Sequence, residues 1–259
     1  MALRDLVGAF SFRVFGVFSG LNFFSQMKMR LLGGIGLVGV LAMGWLRAAD
    51  APNAPAPVAA AGPIVKNGGF EVVDPADKEK PQFWDRLDGL GVQWTNAPAD
   101  DKGRAGGKAI RMNTAISEKD FVANCKKVGL DKWVFPDAAA NAIAETYGLS
   151  YYSDAMPVVK GQKYKVTALY RGPGGGAKIW VRAYGMFQGE MRRRYEAQFT
   201  CTGNPNTWTE NSMEFTPSKM RDVTEMKVML FAYYPPGVYW FDNVKIEPVG
   251  EPVTGPVKK

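Results

Sequence analysis

The stretch Tyr164-Lys165-Val166-Thr167-Ala168-Leu169-Tyr170-Arg171 decides the fold, together with Lys178-Ile179-Trp180-Val181-Arg182-Ala183-Tyr184 just beyond it. Both alternate with a period of two, which a strand half-buried on one face requires and a helix does not. In the first, Tyr164, Val166, Ala168 and Tyr170 form the inward set, with Lys165, Thr167 and Arg171 outward. In the second, Ile179, Val181 and Ala183 form one face and Trp180, Arg182 and Tyr184 the other. Between them lies Gly172-Pro173-Gly174-Gly175-Gly176, which reads as a flexible hairpin loop. It is no phosphate-binding loop, because Ala177 precedes Lys178, Ile179 follows it and a strand rather than a helix comes next.

Working outward, further runs with strand character cover 149–158, 192–200, 207–215, 225–234 and 238–247. Turn chemistry separates them at Lys160-Gly161, Gly203-Asn204-Pro205-Asn206 and Pro235-Pro236-Gly237. Upstream, 64–73, 92–96 and 108–113 add three weaker strands. Short strands without βαβ alternation indicate an all-β protein, an antiparallel sandwich or barrel. Segment 117–148 breaks the rhythm. Ser117 with Asp120 resembles a capping box and 138–147 is Ala-rich behind Asp137, so one or two short helices are expected there as an insertion.

Composition narrows the chemistry. The 259 residues include two Cys and no His. Ser-His-Asp and Cys-His nucleophile pairs, His-ligated zinc and an imidazole general base are therefore excluded. Gly (29) and Pro (17) suit a turn-rich β protein. The formal charge of +7 invites a nucleic-acid reading. Residues 1–51, however, hold five Lys/Arg against two Asp/Glu, so the remainder carries only +4. Arg192-Arg193-Arg194 is a short run whose members alternate faces on a strand, and no nucleic-acid partner is expected.

The N-terminus reads as targeting rather than fold. An uncharged apolar run covers 31–46, Lys28 and Arg30 precede it, and Ala49-Asp50-Ala51 supplies a small-x-small exit. This is a bacterial-type signal peptide, and the protein is expected to be exported to the periplasm or beyond the cell. A membrane partner follows only if the segment stays uncleaved. Residues 1–26 precede a second possible start at Met27 or Met29. The organisation expected is then 1–51 extension and signal, 52–63 Ala/Pro linker, 64–249 folded domain and 250–259 disordered tail.

The ends of the domain carry a signature. Asn67-Gly68-Gly69-Phe70-Glu71 opens it, Val159-Lys160-Gly161-Gln162-Lys163-Tyr164-Lys165-Val166 lies in the middle, Trp208 and Phe215-Thr216-Pro217 follow, and Tyr239-Trp240-Phe241-Asp242-Asn243-Val244-Lys245-Ile246 closes it. Over about 64–249 the chain resembles the CenC-type carbohydrate-binding modules (CBM4/9/22-like), which are galactose-binding-like jelly rolls attached to glycoside hydrolases. The 117–148 insertion departs from their pattern. The resemblance implies a polysaccharide or glycan as partner and a structural Ca²⁺ at the sheet edge. Glu71 and Asp242 would be its carboxylate ligands, and Asp101, in the loop 100–103, the third. Calcium takes six to eight oxygens of this type. Asp242, sharing parity with Val244 and Ile246, is expected to point inward. A hydrogen-bonded turn without metal is the alternative for both carboxylates.

The ligand face expected combines Trp180, Arg182, Tyr184 and Arg171, with Trp133 from the insertion: aromatic planes cover the C–H groups of a sugar while Arg bonds its hydroxyls. The alternative is that the insertion covers Trp180. Trp84 and Trp133 fall in loop or insertion segments where aromatics contact ligands, Trp208 and Trp240 read as packing residues, and Tyr233-Tyr234-Pro235-Pro236 stands where it can rim a pocket. Cys125 and Cys201 either pair, tying the insertion to a strand end, or remain free buried thiols. Glu145, Asp154, Glu190 and Glu196 are carboxylates available to a glycosidase, but no paired arrangement is evident and no catalytic residue is assigned. The function expected is a non-catalytic carbohydrate-binding module. A β-sandwich that binds another protein or packs in an envelope assembly is the alternative, and hydrolysis comes after it.

Overall fold

A computed structural model of the protein describes residues 63–99, 106–130, 138, 140–217 and 222–253. Ten strands lie among them: β1 (Val92–Asn96), β2 (Lys108–Asn113), β3 (Leu149–Tyr152), β4 (Met156–Pro157), β5 (Lys163–Arg171), β6 (Ala177–Phe187), β7 (Glu190–Thr200), β8 (Thr209–Phe215), β9 (Glu225–Ala232) and β10 (Val238–Val249). They form two antiparallel sheets. The first runs β1-β2-β10-β5-β8; the second runs β3-β9-β6-β7, with β4 also on β9. The protein is a β-sandwich jelly roll with one short helix, α1 (Glu118–Lys127), and a 3₁₀ turn at Ile143–Glu145.

The alternation expected along the deciding stretch is present residue by residue. Tyr164, Val166, Ala168 and Tyr170 are buried, as are Ile179, Val181 and Ala183. They pack with Phe241, Ile110 and Leu230 in one core between the sheets. The glycine loop is not a hairpin, however. β5 pairs with β10 and β8, whereas β6 pairs with β7 and β9, so 172–176 carries the chain from one sheet to the other. Gly176 is needed there: a Cβ would lie 2.3 Å from the Tyr239 hydroxyl and 2.6 Å from the Tyr234 carbonyl.

The expected strand over 64–73 is a set of turns. Asn67 and Phe70 have φ of 51° and 59°. The Asn67 side chain accepts from Val72 N–H and donates to the Val72 and Gln82 carbonyls. The segment docks on β10 through Ile64 N–H to Ile246 O and Val244 N–H to Gly68 O. At that contact β10 bulges between Asp242 and Lys245, with Asn243 at φ 50°. Tyr239 and Phe241 point inward before the bulge, and Val244 and Ile246 after it. The extra residue corrects the parity expected for Asp242: it follows the inward Phe241 and sits opposite the core set, yet is buried.

Among the described residues of the insertion there is one α-helix. Ser117 caps α1, its Oγ accepting from Asp120 N–H at 3.0 Å. Among its described residues the Ala-rich stretch gives only the 3₁₀ turn. Phe121, Val122 and Cys125 face the core, Phe121 and Leu149 both pack against Gly91, and Asn124 donates to Asp88 O, so α1 lies along the side where β1 and β3 begin. The run 149–158 divides into β3 and β4 at Ser153, whose Oγ accepts from Val228 N–H. At the C-terminus, Val253 N–H donates to Gly161 O and Gln162 Nε2 to Gly250 O, and residues 254–259 of the tail expected over 250–259 lie outside the described residues. The signal region and all but the last residue of the linker fall outside the described residues. Among the described residues no helix is long and apolar enough to cross a membrane.

Candidate functional site

The outward side chains of β6 stand on the second sheet's outer face, and the pairing register places their neighbours. Trp180 lies between Met229 of β9 and Gln198 of β7, and Met229 in turn faces Tyr152 of β3. One residue pair along, Arg182 lies between Lys227 and Glu196; beyond that, Tyr184 lies between Glu225 and Arg193. On the other side of Trp180, Lys178 faces Phe231 and Thr200. The result is an aromatic and cationic strip across four strands.

Arg182 organises it. Its Nε donates to Glu196 Oε2 at 2.8 Å and its Nη1 to the Tyr152 hydroxyl at 2.6 Å. The guanidinium carbon lies 5.3 Å from the Trp180 ring centroid and 6.0 Å from that of Tyr152. Lys178, two residues the other way, places its ammonium 5.8 Å from Trp180 and 5.6 Å from Tyr233. The indole is flanked by a cation from each direction along its strand, worth about 0.5–1 kcal/mol each where exposed. Glu196 Oε2 also takes Arg193 Nη1 at 2.8 Å. Phe231 and Tyr233 stack at 5.5 Å beside Lys178. Burial pushes the Tyr152 and Tyr184 phenols above their usual range, with Arg182 pulling in the opposite direction, so both stay protonated donors at neutral pH. The Trp180 Nε1 is buried with no hydrogen-bond partner among the described residues.

Trp180, Arg182 and Tyr184 are therefore together as expected. Arg171 is not with them. It is on β5 in the other sheet, paired with Trp240, and its guanidinium donates to Pro205 O and Ala99 O. There it clamps two loops over a small cluster of Trp208, Ala97 and Ala109, against which Leu169 and Trp240 pack. Trp133 lies outside the described residues. Trp84 is no ligand contact: fully buried, it stacks on Tyr151 at 5.5 Å and donates to Asn67 O. Sequence reading missed Tyr152, Gln198 and Lys178. Tyr152 had a signal in its alternation with buried Leu149 and Tyr151, but which outward residues meet it depends on register.

Glu71 and Asp242 both approach the start of β2. Glu71 Oε1 accepts from Lys108 N–H at 2.9 Å, and Asp242 follows the Phe241–Ile110 pair, its Oδ1 accepting from Asn243 N–H. Asp101 lies outside the described residues. Among those described, no group of three or more His, Cys, Asp or Glu is gathered. These donors do not by themselves complete a calcium sphere, and Lys108 N–H already holds one of the Glu71 oxygens. Cys125 and Cys201 are both free and buried, so the pairing offered as one alternative is not formed. Glu190 and Glu196 are engaged with arginines.

A small concavity of about 90 Å³ opens between α1 and β3, lined by Asp85, Arg86, Phe121, Leu130, Tyr147 and Tyr152 among others. Asp88 floors it, its carboxylate accepting from Leu90, Gly91 and Val92 N–H; burial raises its pKa despite those bonds.

No family model and no curated protein matches the chain. Similar solved structures include the enzymatically active domain of tailspike protein 4 of bacteriophage CBA120 (TM-score 0.46, 9% identity, 72% of this chain and 21% of that one). Another is TmCBM61 in complex with beta-1,4-galactotriose (0.39, 14%, 73% and 100%). A third is the CBM22-1-CBM22-2 tandem of Paenibacillus barcinonensis Xyn10C (0.42, 14%, 78% and 50%). The chain thus spans about a fifth of the tailspike chain and half of the tandem. The chain is similar to these proteins in its jelly-roll fold, and at this distance what they bind or cleave does not pass to it.

Proposed function

We propose that this is an exported, non-catalytic carbohydrate-binding module that holds a polysaccharide or glycan across the outer face of the β3-β9-β6-β7 sheet. The observation that supports this most is the single strip joining Tyr152, Trp180, Arg182 and Tyr184, with the Gln198 amide and Lys178 at its margins. Sugar rings present C–H faces and hydroxyl edges. The aromatic groups suit the first, and the phenols, amide and cations suit the second. Arg182 is already fixed by Glu196 and Tyr152, so little side-chain entropy is lost there on binding. Calcium at the Glu71–Asp242 edge belongs to the same proposal as a structural ion.

The protein-binding alternative draws on a different observation: Lys178 and Arg182 both lie over the Trp180 ring, at 5.8 and 5.3 Å from its centroid, and compete with a stacking sugar. Affinity electrophoresis of wild type and Trp180→Ala through gels containing xylan, β-glucan or galactan separates the readings. Retardation of wild type by at least one polysaccharide, abolished in the variant, is expected. Equal mobility in every gel would contradict the proposal.

A further inference from the structure

The β6–β7 hairpin ends in a feature that the glycan face does not use. Tyr184–Arg193, Gly185–Arg192, Met186–Met191 and Phe187–Glu190 are successive pairs, closed by Gln188-Gly189. Both turn residues have positive φ, 51° and 81°, the geometry of a tight two-residue hairpin. At the tip the side chains on both faces are open to solvent. Met186, Phe187 and Met191 are 57%, 45% and 48% exposed. Large apolar groups gathered at a protruding turn need a reason, because each one leaves hydrocarbon in water.

Directly behind them come Arg192, Arg193 and Arg194. Arg194 lies 4.7 Å from the Phe187 ring centroid, and Arg192 pairs with Glu190 at 2.6 Å. Arg193 shares Glu196 with Arg182. The Arg192–Glu190 pair is half exposed on both sides, so it holds its arginine weakly and leaves it able to turn to another anion. An apolar tip with a basic collar matches an interface that is hydrocarbon at one depth and phosphate at the next.

We propose that the Met186–Phe187–Met191 tip inserts into the headgroup boundary of a bilayer containing anionic phospholipid, with Arg192 and Arg194 on the lipid phosphates. An acidic polysaccharide would use the arginines but gives the three apolar side chains no place to go, whereas acyl chains do. The site is independent of the glycan strip, which lies further along the same strands.

The test uses the full chain carrying Gln188→Cys, labelled with an environment-sensitive fluorophore. Cys125 and Cys201 are buried, so the label goes to the turn. Because the probe reports only the tip, bilayer contact made elsewhere in the chain does not register. With phosphatidylglycerol-containing vesicles a blue shift is expected, reversed by high salt and absent with phosphatidylcholine alone. Adding Arg192→Gln should weaken the vesicle titration roughly fivefold, the share of one basic residue at a charged surface. Adding Phe187→Ser should reduce the shift itself. No shift with either vesicle overturns the proposal. So does an equal, salt-insensitive shift with both. A shift that depends on protein concentration without vesicles also overturns it, assigning the tip to a second copy of the chain.

Discussion

Cys125 and Cys201 illustrate how far residue identity goes. Burial raises the two thiols from 9.0 to about 11 and about 12, with the Asp88 charge adding to the rise at Cys125. The folded chain then keeps protons that the unfolded chain releases. The stabilisation is fully present below pH 9 and is lost as pH rises through 9 towards 11 and 12. Urea unfolding between pH 8 and 10 should show stability falling in wild type. In Cys125→Ser/Cys201→Ser the part of the slope that starts near pH 9 should be absent. The buried tyrosines contribute in the same direction only from about 10 upward. That the cysteines were candidates for burial was legible from their type. That they do not meet was not, because spacing in sequence says nothing of the distance between α1 and the end of β7. Gly68 is a second case. A Cβ there would sit 1.7 Å from Val244 O, on the contact that joins the opening segment to β10. Gly68→Ala should therefore cost roughly 2–3 kcal/mol, read by the urea midpoint; no change would remove the structural role given to that glycine.

Among the elements, alternation was the dependable signal. β6 shows it best: its first nine positions, Ala177 to Gly185, alternate, and only Met186 and Phe187 at the tip break the pattern. The Ala-rich stretch behind Asp137 misled because helix propensity without an apolar stripe has nothing to bury, and among its described residues only Ile143–Glu145 turn helical. α1 formed where Ser117 supplies a cap and Phe121, Val122 and Cys125 supply a face. Ser117→Ala should destabilise the protein by about 1 kcal/mol in urea unfolding, while α1 stays docked through those three side chains. The placement of Arg171 failed for a different reason. Its outward parity on β5 was right, but the glycine loop changes sheets instead of turning back, and a sheet change moves an outward residue to the opposite side of the molecule. Parity is local, whereas sheet assignment rests on pairings with β8, β9 and β10, tens of residues away.

For the whole molecule, the sandwich and its two-sided character were readable, and so was the gathering of Trp180, Arg182 and Tyr184 on one face of β6. What could not be read was the strip's width, since Tyr152, Gln198 and Lys227 join it only through register. The calcium proposal belongs at this scale, because Glu71 and Asp242 bring the opening segment and the last strand to β2. Thermal unfolding with added calcium should occur at a higher temperature than with EGTA, and superimposable transitions would remove the ion. The central claim is that the Trp180 strip holds sugar. Calorimetric titration of soluble xylan, β-glucan and galactan oligosaccharides into wild type, Trp180→Ala and Arg171→Ala tests it most directly. The account predicts heat of binding with at least one oligosaccharide for wild type, loss in Trp180→Ala, and binding retained in a folded Arg171→Ala, since Arg171 lies on the other sheet. Binding untouched by Trp180→Ala, or absent from wild type with every oligosaccharide, would contradict it.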